Sequence, residues 1–396
     1  MKQLAILGST GSIGRQCLSV VDQLEGQFGV VALAAGSNLD ELTGQIGRYR
    51  PELVSVGDSD RADQLANRLR ERGIAPLPSI HHGGEGMLAV GTHRAAEIVV
   101  SAAVGVVGLE ATYEAVKLGK TIALSNKEVL VAAGELVMAA ARRAGKELLP
   151  VDSEHNAVHQ CLRGGKHAEV RRLVLTASGG PFRDTPINRL GNVTVEQALD
   201  HPNWRMGNRI TVDSATMMNK GFEVIEARWL FDMQPGQVDV VIHPQSTIHS
   251  MVEFVDGSVL AQLGATDMRM PIQYALTFPD RVASNGLALD WAKLKRLDFK
   301  KVSTRRYPCL RLAREALKKG GAWPCALNAA DEVAVAAFLQ RQIPFLGIPH
   351  VVEGVLERTP RVKIEKMEDV LAADAEARRI ATEEVNRLAG KALAAS

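Results

Sequence analysis

The feature that most constrains this chain is the alternation of its first 150 residues: a short apolar, β-branched run, a Gly, Ser or Asn turn, then a helical stretch. Candidate strands are Leu4 to Leu7, Val30 to Ala35, Leu53 to Val56, Glu97 to Ala102, Thr121 to Leu124 and Glu147 to Val151. Strands that alternate with helices predict a parallel, doubly wound sheet. Ligands of such sheets bind outside the carboxyl ends of the strands, at the switch point. Residues that follow several of these strands should therefore line one crevice.

The texture changes from about residue 170. Leu173 to Ala177, Ile210 to Val212 and Val238 to Ile242 read as isolated strands, and Ser250 to Leu263 alternates about Asp256-Gly257, a hairpin signal. Ser284 to Arg306 is charged and lacks apolar period, and Tyr307 to Ser396 is helix after helix. The expected fold is α/β: an N-terminal Rossmann-type parallel sheet (1–150), a central α+β domain (151–284), a linker (285–306) and a C-terminal helical domain (307–396).

Bulk properties narrow the function. A net charge of +2 from 47 basic and 45 acidic residues gives no general affinity for polyanions and argues against nucleic acid. The longest apolar segment, Ile98 to Leu109, is shorter than the ~18 residues of a membrane span, so no membrane is expected as a partner. Cys17, Cys161, Cys309 and Cys325 are scattered without a Cys-x-x-Cys pair, which fits reduced thiols and a cytoplasmic location.

Gly8-Ser9-Thr10-Gly11-Ser12-Ile13-Gly14 follows the first strand and opens a helix, the context of a dinucleotide-binding turn. Its glycines would let backbone approach a pyrophosphate at a helix N-terminus. A glycine turn for helix–strand packing is the plainer alternative. The second strand ends in Gly36-Ser37-Asn38, with no acid for a ribose 2'-hydroxyl, which favours NADP over NAD. After the fifth strand, Ser125-Asn126-Lys127-Glu128 should project Lys127 into the crevice. A cation at a helix start opposes the macrodipole and needs an anionic partner.

Asp152-Ser153-Glu154 closes the last apolar run. If the strand persisted, both carboxylates would point the same way and suit a hard divalent cation. The alternative is a helix cap with acid in the first turn. Ser214, Asn219 and Lys220, within Thr211 to Glu223, offer hydroxyl, amide and ammonium donors for a phosphate, and Ser178 before Gly179-Gly180 offers another. Glu223 lies three residues from Lys220, so a surface ion pair is the competing account. The loop His201 to Gly207 carries His201, Trp204 and a possible hinge at Gly207, the composition of a lid or of a loop anchored by a buried Trp. It follows a capping-box pattern at Thr194 and Gln197. His249 is a further candidate proton or oxygen partner. His155 and His159, four apart, are the basis of a zinc-hydrolase alternative, without the His-Glu-x-x-His signature.

Taken together, Gly8 to Gly14, Ser125 to Glu128, Pro150 to Asn156, Ser178 to Arg183, His201 to Gly207, Ser214 to Glu223 and His243 to Ser250 resemble the 1-deoxy-D-xylulose 5-phosphate reductoisomerase family over nearly the whole chain. The resemblance implies that NADPH and Mg2+ or Mn2+ are the cofactors and that 1-deoxy-D-xylulose 5-phosphate is isomerised and reduced to 2-C-methyl-D-erythritol 4-phosphate in non-mevalonate isoprenoid synthesis. It implies one metal ion on Asp152, Glu154 and Glu223, and a substrate phosphate on Ser178, Ser214, Asn219 and Lys220. Ser153, Lys127 and His201 would contact substrate oxygens under Trp204. Thr10 to Ile13 (Thr10, Gly11, Ser12, Ile13), Gly36, Ser37, Asn38, Asn126, Glu128 and Gly207 would line the NADPH site beside Gly8, and the central domain would form a homodimer. Two alternatives keep the Gly8 to Gly14 turn. An NADP-linked oxidoreductase of the semialdehyde or homoserine dehydrogenase type does not need the Ser214 to Glu223 block, and a non-catalytic nucleotide-sensing protein could lose the acids.

Overall fold

Seven strands in the N-terminal part pair in parallel to form one sheet: β1 (Lys2–Leu7), β2 (Phe28–Ala34), β3 (Leu53–Val56), β4 (Ser79–His82), β5 (Ile98–Ser101), β6 (Thr121–Leu124) and β7 (Leu148–Pro150). Their order, β4-β3-β2-β1-β5-β6-β7, puts the switch point between β1 and β5. The structure is a computed structural model and describes residues 1–202, 204, 206–284 and 288–395. The six expected strands form within a residue or two of their expected bounds. β4 was not expected: it is an edge strand whose four residues are all exposed or half-buried, so it carries no apolar run to mark it.

The helices between these strands are α1 (Ser12–Gln23), α2 (Leu39–Tyr49), α3 (Ser59–Glu71), α4 (Gly83–Gly91), α5 (Leu109–Lys117) and α6 (Glu128–Ala144), followed by α7 (Ser153–Leu162). In the second part come β8 (Val170–Ala177), α8 (Val195–Leu199), α9 (Asn208–Thr216), α10 (Met218–Leu230), β9 (Val238–Ile242), β10 (Ile248–Phe254) and β11 (Val259–Leu263). They are followed by α11 (Arg269–Thr277), β12 (Lys300–Lys301), α12 (Pro308–Lys319), α13 (Trp323–Leu339), α14 (Gly347–Arg358) and α15 (Met367–Ala395). A second, mixed sheet has the order β11-β10-β8-β9-β12, with β8 and β9 parallel and its other pairs antiparallel.

Two compact units result. The first holds most of residues 1–156 and a returning segment from Asp267, so α11, expected within the central domain, packs against α1, β6 and β7. Its core runs from Leu4, Ile6 and Leu33 to Ile272 and Leu276 of α11. The second unit holds the mixed sheet together with the helices from α12 onward. One continuous core, including Leu173, Phe222, Leu327 and Val352, spans both the α+β and the helical stretches that were expected as separate domains. Most of the expected linker is irregular, but Lys300 and Lys301 pair with β9; 285–287 of that linker and the terminal Ser396 lie outside the described residues.

One element differs in kind. Ile210 to Val212, expected as a strand, lie inside helix α9. The β-branched run suggests a strand locally, but the Gly207 carbonyl accepts from Thr211 N and Thr211 Oγ1, and Val212 and Ala215 are buried against neighbouring helices. Packing overrides propensity here.

Candidate active site

At the carboxyl end of the parallel sheet, the turn after β1 is shaped by contact. Gly8 has φ +88°, and a Cβ there would lie 2.5 Å from the Ala102 carbonyl oxygen after β5. At Gly14 a Cβ would meet the Gly8 oxygen at 2.4 Å. Both positions therefore require glycine. Gly11 is the N-cap of α1, which has no side-chain cap and no acid in its first turn, so its leading amides are suited to an anion. Thr10, Ser12 and Ile13 stand on this turn, and exposed Gly36, Ser37 and Asn38 follow the adjacent β2. The Asn38 side chain is also used locally, accepting from Glu41 N to cap α2.

The turns after β6 and β7 complete this end. Asn126 is buried and donates through Nδ2 to the Gly105 carbonyl at 2.8 Å, which braces the loop after β5. Val104 and Val107 of that loop are 73% and 68% exposed. This apolar wall was not singled out from the sequence, where Ile98 to Leu109 reads as one core run. Glu128 begins α6 beside Lys127.

The anion that Lys127 requires is Asp152: Nζ is buried and 2.6 Å from Asp152 Oδ2. Burial pushes the Asp152 carboxyl up, but the Lys127 ammonium and the His155 ring, with Nδ1 at 3.5 Å, outweigh it and hold Asp152 well below the usual carboxylate range. The strand does not persist to Glu154. It ends at Pro150, and α7 starts at Ser153 with the Asp152 carbonyl accepting from Asn156 N. The triplet is thus a helix start, and the period-2 argument for the two acids fails. Ser153 donates to Glu154 Oε2 at 2.5 Å, and Asn156 ties the turn to the carbonyls of Pro150 and Pro271.

In the second unit, β8 runs into Ser178-Gly179-Gly180, where both glycines have positive φ. A Cβ on Gly180 would lie 2.7 Å from the Ser214 carbonyl oxygen, so this turn sits directly on the end of α9 that carries Ser214. Met217, with φ 62°, joins α9 to α10, whose first turn presents Asn219 and Lys220. The Lys220–Glu223 pair exists, but it is not on the surface. Glu223 is 0% and Lys220 3% exposed, with the ammonium on Glu223 Oε2 and the Asn219 amide on Oε1 at 2.5 Å.

His201 is oriented from both sides. Trp204 N donates to its Nδ1 at 2.9 Å, which places the ring proton on Nε2, 3.0 Å from Ser178 Oγ. Burial and the Arg183 guanidinium lower its pKa, favouring the neutral ring. Gly207 is the extended N-cap of α9; Asn203 and Arg205 of the same loop lie outside the described residues. His249 is buried on β10, whose neighbour β8 leads to Ser178. Two further residues were missed. Tyr307 donates to the Gly179 carbonyl at 3.0 Å, and burial pushes its hydroxyl up to about 12. Glu226 is a wholly buried carboxylate one turn beyond Glu223, and its i,i+3 spacing within an apolar stretch was the available signal.

Comparison with known proteins decides the family. Residues 4–134 match the profile for 1-deoxy-D-xylulose 5-phosphate reductoisomerase, 148–231 the profile for its C-terminal domain, and 263–380 the profile for the DXP reductoisomerase C-terminal domain. A 1-deoxy-D-xylulose 5-phosphate reductoisomerase of Solibacter usitatus is 53% identical over 98% of this chain and 99% of its own length. The chain belongs to the 1-deoxy-D-xylulose 5-phosphate reductoisomerase family. A reductoisomerase of Heliobacterium modesticaldum is 52% identical over 97% and 98% of the two chains. Among solved structures, the fold matches a DOX-P reductoisomerase in complex with NADPH, fosmidomycin and magnesium, with TM-score 0.93, 39% identity and 98% of each chain covered. It also matches the Zymomonas mobilis reductoisomerase in complex with NADPH, with TM-score 0.90, 41% identity and coverage of 97% and 99%. The parallel sheet, the mixed second sheet and the helical C-terminal stretch are those of the reductoisomerase family.

Proposed function

We propose that Asp152, Glu154 and Glu223 hold one Mg2+ or Mn2+ ion and that Ser178, Ser214, Asn219 and Lys220 hold the substrate phosphate, in the service of the family's reaction. As a member of that family, the chain is an NADPH- and divalent-metal-dependent enzyme that isomerises and reduces 1-deoxy-D-xylulose 5-phosphate to 2-C-methyl-D-erythritol 4-phosphate for isoprenoid synthesis. The observation that carries the site reading is the treatment of its acids. Asp152 is held ionised by Lys127, and Glu223 is buried among donors rather than solvated. An all-oxygen set of this kind fits a hard cation.

When bound, the cation polarises the substrate's carbonyl and neighbouring hydroxyl oxygens, and NADPH supplies the hydride. The chain's own groups bind and orient. Ser178 Oγ accepts from Gly180 N and His201 Nε2, so its hydroxyl proton is directed to a third acceptor, the role required of a phosphate donor. Lys220 brings the charge, and the α10 N-terminus brings oriented amides. Ser153, Lys127 and His201 are the proposed contacts to the substrate's oxygens, with His249 as a further one and Trp204 as the cover. Gly8, Thr10 to Ile13, Gly36 to Asn38, Asn126, Glu128 and Gly207 are the proposed NADPH contacts.

Glu223→Gln tests the metal assignment, with metal-dependent turnover abolished and NADPH affinity kept; unchanged turnover removes Glu223 from the ligand set. The homodimer proposed for the family is supported by β11, an edge strand with Val259 and Leu260 exposed. Light scattering should give twice the chain mass, and a monomer mass would refute it. Among the described residues no helix is long and apolar enough to cross a membrane, and a cytoplasmic location is proposed from the four free, buried thiols.

A further inference from the structure

Helix α9 carries Ser214 at one end and leaves the His201 to Gly207 loop at the other, and its buried side holds a second polar cluster. Arg209 reaches α13: Nη1 is 2.9 Å from Glu332 Oε1 and Nη2 is 3.1 Å from Asn328 Oδ1. Asp331 of α13 and Asp213 of α9 flank it, with Asp331 Oδ2 3.8 Å from Nη2 and Asp213 Oδ2 3.7 Å from Nε. Asp331 is 0% and Asp213 4% exposed. Both Asp331 oxygens are buried, and no donor reaches either among the described residues.

Two buried carboxyls beside one guanidinium, itself bonded to Glu332, cannot both ionise cheaply. Asp331 and Asp213 approach the same guanidinium, where a proton on one carboxyl can bridge to the other, and burial followed by the Asp213 charge raises the Asp331 pKa well above the carboxylate range. Cys309 of α12 faces the same cluster, its thiol pushed up by burial and by Asp331 and Asp213 while Thr216 hydrogen-bonds it. Burial, Asp213 and Glu332 outweigh the opposing Arg209 guanidinium and favour the protonated acid, which can donate to Asp213 and so tie α13 to α9 at the residue before Ser214. Because Gly180 rests on the Ser214 carbonyl, a shift of α9 would move Ser214 and the Ser178 turn together.

We propose that Asp331, through its hydrogen bond to Asp213, is a positioning residue for the substrate-phosphate cradle at the end of α9. This deepens the phosphate assignment above and rests on it. Asp331→Asn keeps a neutral donor of the same shape, so it should retain the parent's KM for 1-deoxy-D-xylulose 5-phosphate, and its KM should stay flat where the parent's climbs at alkaline pH. Asp331→Ala leaves Asp213 without that donor and should raise KM about tenfold, with kcat and NADPH affinity within about twofold. A raised KM in Asp331→Asn overturns the proposal, as does an Asp331→Ala protein that loses Tm but keeps its KM. If Asp331→Ala does not fold, the KM of Asp331→Asn still decides. Lys220→Ala separates the two levels: an unchanged KM there refutes the phosphate assignment itself, whereas a raised KM there beside a parental KM in Asp331→Ala refutes only the role of Asp331.

Discussion

His201 shows how far single residues can be argued. Its Nδ1 accepts from Trp204 N and its Nε2 serves Ser178, an arrangement that only the neutral ring satisfies. Its folded pKa is depressed, by burial and then by Arg183. The stability it contributes is therefore full above the unfolded value of about 6.5 and is lost as the pH falls from there through the folded value. Titrated by NMR, the His201 ring should protonate below pH 6.5, with the Trp204 amide shifting in step; protonation above 6.5 would contradict the geometry. Some of this scale was legible in the sequence. Lys127 at a helix start demanded an anion, and Asp152 is that anion. Other residues were not legible, because spacing carries no depth. The i,i+3 pair Lys220–Glu223 reads the same on a surface as in a core, and Tyr307 reaches Gly179 across 128 positions of sequence.

Elements were legible where one face or both faces are apolar, and obscure where packing decides. β1, β3 and β6 declare themselves as buried runs. β4 is a half-exposed edge, and α9 contains a β-branched run that only its burial against other helices turns into a helix. The Asp152 to Glu154 turn lies between these cases, since the same residues suit a strand end or a helix start and the backbone chose the helix. The β1–α1 turn depends on close approach more than on spacing. Gly8→Ala places a Cβ against the Ala102 carbonyl at positive φ, costing more than ~1 kcal/mol. NADPH affinity measured by fluorescence should fall about tenfold or more. Wild-type affinity would mean that this turn is a packing device only.

For the whole molecule, the fold class, cofactor type and reaction were readable because several long motifs occur in one order, and three family profiles and near full-length relatives agree with them. The division into units was harder to read. The contacts return α11 to the N-terminal unit and give the mixed sheet and the C-terminal helices a common core, and a boundary drawn from composition cannot register long-range packing. The central claim is that Asp152, Glu154 and Glu223 bind a divalent cation for an NADPH-linked conversion of a phosphorylated sugar. Its most direct test follows NADPH oxidation by absorbance with 1-deoxy-D-xylulose 5-phosphate. The assay is run with added Mg2+ or Mn2+, then with chelator, then with metal restored. The account predicts oxidation that stops on chelation and returns with the metal; oxidation that persists in chelator, or none with metal present, would contradict it.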